Sequence, residues 1–147
     1  MDTLEIALRL GAAAVIGIAV GLNRDLHGKA MGVRTLGVVA VGAALAVLAV
    51  REFTGAEVSR VIQGIVTGIG FLGVAVIVRS PDGQQVQGLT TAACAWATAA
   101  MGAACGVALW RVVLIGVVII FVILHLGGPF EQAIHRRWPH RKPDDAP

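Results

Sequence analysis

The chain has 147 residues, 56% of them hydrophobic and only 14% charged, with a net charge of +3 and a mean hydropathy of +0.80. Soluble domains carry about 25% charged residues, and no long polar segment stands outside the apolar ones, so a separate soluble domain is excluded. The length fits one domain.

Five apolar segments follow in chain order. A bilayer core about 30 Å thick takes roughly 20 apolar residues of helix to cross. The first segment runs from Leu4 to Leu22. Its apolar run from Leu10 to Leu22 has the length of a cleaved signal, but the preceding residues hold Asp2, Glu5 and Arg9 where a signal carries a positive cluster. It is therefore expected to stay as a helix. Glu5 and Arg9 stand at i and i+4 with the acid first, the favourable order for a helical ion pair, and both are expected to snorkel to the interface. Asn23 to Arg34 is a polar connection.

The second segment runs from Thr35 to Val50 and the third from Val61 to Val78. Ser80-Pro81-Asp82-Gly83 then forms a turn signature, proline presetting one dihedral and glycine relaxing the next. The fourth segment, Leu89 to Leu109, is 21 residues without a charge. Its two cysteines, Cys94 and Cys105, lie about 16 Å apart along a helix, too far to bridge, and read as small apolar fillers. The fifth segment runs from Val112 to Leu126 and is expected to stop at Gly127-Gly128-Pro129. Residues 1–128 thus form a membrane domain and 129–147 a short basic tail, with Trp138 among its interfacial residues.

Small residues recur four apart: Gly17 with Gly21, Gly64 with Gly68, and Gly102 with Gly106, beside Gly70 and Gly73. Such pairs let helix backbones approach closely within a chain or between chains. The fold class is therefore all-α: a polytopic membrane protein of five transmembrane helices packed on small residues. A chain this thin has little internal volume, so a homo-oligomer, first of all a dimer, is expected.

Basic residues set orientation. With the N-terminus outside, the inner side holds Arg24, Lys29, Arg34, Arg79, Arg136, Arg137, Arg141 and Lys142, against Arg9, Arg51, Arg60 and Arg111 outside. The expected arrangement is an external N-terminus and a cytoplasmic C-terminus. Nothing in the pattern points to nucleic acid.

No ionisable residue falls in the middle of a segment, although cation carriers usually hold one there. Magnesium prefers carboxylate oxygens and retained water. No metal-ligand set is expected, Asp25 being the sole candidate acid. Enzyme signatures are absent: there is no nucleophilic triad, zinc spacing or phosphate-cradling loop. Gly68-Ile69-Gly70 with Gly73 mimics a dinucleotide fingerprint but lies inside an apolar segment, without the strand-turn-helix context. His27, His125, His135 and His140 read as interfacial residues. Asn23, Arg24, Asp25, Arg34, Thr35, Thr90 and Thr91 are expected to converge at one membrane depth, with Asp25 pairing Arg34. Gln63 and Thr67, i and i+4 on the third segment, are expected to bond to a neighbouring helix.

Four blocks are similar to those of one family. Gly21-Leu22-Asn23-Arg24-Asp25 resembles a Gly-Leu-Glu-Arg-Glu block ending a first helix, and Gly32-Val33-Arg34-Thr35 a Gly-Leu-Arg-Thr block opening a second. Gln63 to Gly73 resembles a third-helix block, most clearly from Gly68 onward, and Gly88-Leu89-Thr90-Thr91-Ala92-Ala93 with Trp96 a fourth. In this order they resemble the MgtC/SapB family of bacterial inner-membrane proteins, in a short form without the soluble C-terminal domain of longer members. Asn23 and Asp25 stand where that family usually has glutamates, and Ala75 where a glycine is common. The resemblance implies a role in magnesium homeostasis, low-magnesium stress and, in pathogens, survival inside host cells. It allows magnesium as the one associated ion. It also implies action on other membrane proteins, such as an F-type ATP synthase, or alternatively transport of magnesium or another small solute.

Overall fold

A computed structural model describes residues 1–52, 55–79 and 86–137. In chain order it has α1 (Thr3–Leu26), α2 (Val33–Ala49), α3 (Gly55–Val76), β1 (Val78–Arg79), β2 (Val86–Gln87), α4 (Leu89–Gly106) and α5 (Trp110–Arg137). The chain divides into two units, Met1–Val113 and the segment from Leu114 onward.

The fold is all-helical apart from a short antiparallel ribbon, in which Val78 faces Gln87 and Arg79 faces Val86. The ribbon ends the third helix at Val76 rather than Val78. The expected turn at Ser80 to Gly83 lies outside the described residues.

Helix α1 runs one turn past Leu22, so Asn23, Arg24 and Asp25 are helical rather than in a loop. Arg24 in the last turn complements the negative end of the helix dipole. Helix α3 begins at Gly55, before the apolar residues start. Helix α5 does not stop at Gly127-Gly128-Pro129 but continues to Arg137, so the boundary drawn at residue 128 falls inside a helix. Glycine costs a helix about 1 kcal/mol and proline about 3. Amides left unpaired in an apolar medium cost more, so membrane helices tolerate both residues.

Within Met1–Val113, α4 is the central helix, packed on α1, α2 and α3. Its buried face is built from Cys94, Ala95, Thr98, Ala99, Gly102 and Ala103, with Met101 the one long side chain. Small side chains bring the neighbouring backbones close. A Cβ on Gly102 would lie 2.9 Å from the Ala40 Cα, and one on Gly106 would lie 2.9 Å from the Ala44 carbonyl oxygen. On α1, a Cβ on Gly17 would lie 2.9 Å from the Gly37 Cα, and one on Gly21 would lie 2.6 Å from the Val33 Cα. Two of the three glycine pairs therefore seat α2 between α1 and α4. The third pair behaves differently: a Cβ on Gly64, Gly68 or Gly70 would meet nothing within 4 Å, whereas Gly73 packs on Ala92.

Among the described residues, three helices are long and apolar enough to cross a membrane: α1, α3 and residues Trp110–Gly128 of α5. Helix α2 is shorter, at 17 residues. The longest uncharged run in the sequence, now α4, is covered mainly by protein.

Candidate functional site: the arginine-anchored end of the bundle

The last turn of α1, the first turn of α2 and the first turn of α4 meet at one end of the bundle. Arg24 reaches across from α1 and its Nη2 donates to the Thr91 hydroxyl at 2.7 Å. Both residues are buried, Arg24 with 6% of its surface exposed. The Arg24 Nε has no acceptor. Neighbouring Asn23 is also buried, and its carbonyl oxygen accepts from the His27 ring at 2.6 Å.

Asp25 points the other way. Its exposed carboxylate accepts the Val33 N–H at 2.9 Å and so caps α2. It lies directly over Gly32, where any Cβ would overlap it. The expected Asp25–Arg34 ion pair is not formed: among the described residues, no salt bridge joins them. Free amides and the positive dipole end of α2 hold the acid more firmly than an exposed guanidinium would. Arg34, Thr35 and Thr90 sit exposed in the first turns of α2 and α4. The cluster thus separates into a buried Arg24–Thr91 bond and an exposed Asp25 cap.

Two glycines shape this end. Gly28 (φ 61°) lets the chain leave α1, and Gly88 (φ 91°) opens α4. A Cβ on Gly88 would lie 2.9 Å from the Val76 carbonyl carbon. Both the left-handed conformation and the contact require glycine there.

Sequence reasoning missed the counterpart at the other end. Arg9 was expected at the interface, yet only 2% of its surface is exposed. It pairs with Glu5 as the spacing suggested, and its Nη1 also donates to the Gly106 carbonyl oxygen at 2.6 Å, at the end of α4. Glu5 lies 3.4 Å from Arg51 as well. Glu5 and Arg51 line an open cleft of about 760 Å³ with Met1, Ile6 and Leu45. The readable signal was the small residue Gly106, whose carbonyl a long side chain can reach.

On α3, Gln63 and Thr67 are exposed, and their side chains have no hydrogen-bond partner among the described residues. Gly68 lines an apolar groove of about 290 Å³ with Val38, Gly42, Ile65 and Ala99. Among the described residues no group of three or more His, Cys, Asp or Glu side chains is arranged to hold a metal ion, and Asp25 joins no such group.

The model of the MgtC family matches residues 10–133. The chain belongs to the MgtC family. It is 40% identical over 140 residues to protein SrpB of Synechococcus elongatus, covering 86% of this chain and 76% of the relative. It is 38% identical over 113 residues to protein MgtC of Salmonella typhimurium, covering 77% of this chain and 48% of that protein. With YhiD of Escherichia coli K12, whose name proposes magnesium transport, identity is 33% over 134 residues, covering 84% and 61%. The chain therefore spans about half the length of the Salmonella relative. No solved structure matches it. The chain is a membrane protein of a family linked to magnesium.

The four MgtC-like blocks are joined by contacts at this end. Gly21 of the first packs on Val33 of the second, and Gly73 of the third on Ala92 of the fourth. Arg24 of the first bonds Thr91 of the fourth.

Proposed function

We propose that this MgtC-family chain is a non-enzymatic regulator in magnesium homeostasis that acts by lateral contact with other membrane proteins. In this reading all five helices cross the bacterial inner membrane, with the N-terminus outside and the C-terminus in the cytoplasm. The observation that carries it is the pair of buried arginines, Arg9 and Arg24, at opposite ends of a bundle tightly packed on small residues. A divalent cation passing about 4 Å from one guanidinium meets a repulsion of roughly 8 kcal/mol at an effective dielectric constant of 20. A bundle closed this way at its Arg24 end, where no salt bridge to Arg24 forms among the described residues, suits a scaffold better than a cation path.

A regulator also needs a surface. Helix α3 offers Gln63, Gly64, Thr67 and Gly68 along one side, the polar and small residues by which membrane helices associate. The partners proposed for it are a second copy of the chain and a larger membrane complex such as an F-type ATP synthase. A photo-crosslinker placed at Phe71, which is 83% exposed, tests this in native membranes against one placed at buried Ala95. Adducts with either partner from Phe71 alone support the reading; equal or absent adducts from both positions count against it. The second reading, magnesium transport, is favoured by the name of YhiD, and it requires flux from the purified protein.

A further inference from the structure

Arg9 and Arg24 sit about 22 Å apart along α1, both more than nine-tenths buried, in opposite electrostatic settings. Arg9 has negative partners, the Glu5 carboxylate and the Gly106 carbonyl at the negative end of α4, although its Nε, like that of Arg24, has no acceptor. Arg24 has no such negative partner among the described residues. Its one partner is the Thr91 hydroxyl, in the first turn of α4, where unpaired amides and the helix dipole are positive. Among the described residues no side chain caps α4 there. The Arg24 Nε is buried without an acceptor. Among the described residues no carboxylate pairs with it, and adjacent Asp25 is committed to α2. Donors and positive charge are gathered here with the Thr91 hydroxyl as acceptor and no carboxylate among the described residues, and a buried guanidinium without a counter-charge is costly.

We propose that this end of the bundle binds a phosphate-bearing anion. Arg24 supplies the charge and the first-turn amides of α4 supply further donors, the arrangement by which helix N-termini hold phosphate. Access is past exposed Leu89 and Thr90, and exposed Lys29 and Arg34 add positive potential nearby. The phosphate comes from an anionic lipid headgroup or from free phosphate; both present the same oxygens. This goes beyond the regulator reading and does not rest on it, because a transporter could carry the same site.

The test uses the full chain in phosphatidylcholine nanodiscs, followed by thermal unfolding. One arm replaces part of the lipid with phosphatidylglycerol; another adds inorganic phosphate against equal chloride. Expected is a saturable rise in Tm of roughly 5 °C or more in one arm. A rise with phosphatidylglycerol alone identifies a lipid site; a rise with phosphate in neutral lipid identifies a soluble anion. Arg24→Gln is expected to lose the rise, each arm being compared with the variant's own Tm in neutral lipid. Should Arg24→Gln fail to fold, Thr91→Val, which removes the hydroxyl that positions the guanidinium, is expected to weaken anion binding at least several-fold. An unchanged wild-type Tm in both arms overturns the proposal. So does an Asp82→Asn variant that behaves like Arg24→Gln, which would make the missing anion internal.

Discussion

The glycine pairs allow one chemical change to be made with opposite expected signs. Gly102→Ala puts a methyl group 2.9 Å from the Ala40 Cα and carbonyl carbon, and closer still to that carbonyl oxygen. These are backbone atoms, so relief requires moving α2 away from α4 by several tenths of an ångström along an interface that also includes Gly106 and Ala44. Overpacking of a tight core costs about 1–3 kcal/mol, and here no side chain can rotate aside, so about 3 kcal/mol is expected. Gly64→Ala meets nothing within 4 Å and gains about 1 kcal/mol of helix propensity. The two variants should therefore differ by about 4 kcal/mol in reversible unfolding of the detergent-dispersed monomer. Equal stability of the two, or a stabilised Gly102→Ala, would refute the close packing of α2 on α4.

Other substitutions probe the ends of the bundle. Arg9→Met should destabilise by about 2–3 kcal/mol in chemical unfolding, because the Gly106 carbonyl loses a charged donor; Glu5→Gln should cost less. Ala108 adopts a left-handed conformation (φ 59°) after α4, so Ala108→Gly should stabilise by about 1 kcal/mol, read as a higher Tm. Asp25→Ala should cost about 1 kcal/mol through loss of the α2 cap, while Asp25→Asn, which still presents an oxygen, should retain most of it. Hydrogen exchange at the Val33 amide separates the two.

Sequence periodicity and composition made the helices legible, because long apolar runs have few other outcomes. They did not distinguish lipid from protein as the covering of a run. Leu89 to Leu109 looked most lipid-like because it lacks charge, yet its alanines, glycines and threonines suit it to the centre of a bundle. The same blindness hid Arg9: composition places a terminal arginine in water, whereas only packing reveals a carbonyl within its reach. Backbone lies close to Gly17 and Gly102 but not to Gly64 and Gly68, a difference that spacing alone could not show. At the candidate site, the family-like blocks contain Arg24 and Thr91, which are hydrogen-bonded, whereas the expected Asp25–Arg34 pair is absent among the described residues. Asp25 was expected to pair with Arg34, although the Val33 N–H at the start of α2 is the donor its carboxylate accepts. The ribbon after α3 is two residues per strand, too short for an alternating pattern to announce it.

The central claim is that the bundle is a scaffold rather than a cation path. Magnesium uptake into liposomes containing the purified chain, with protein-free liposomes and Arg24→Ala beside them, tests it most directly. The account expects no uptake above the protein-free level from folded, correctly oriented protein. Saturable uptake that Arg24→Ala alters would contradict it and make the arginine-anchored end part of a transport route.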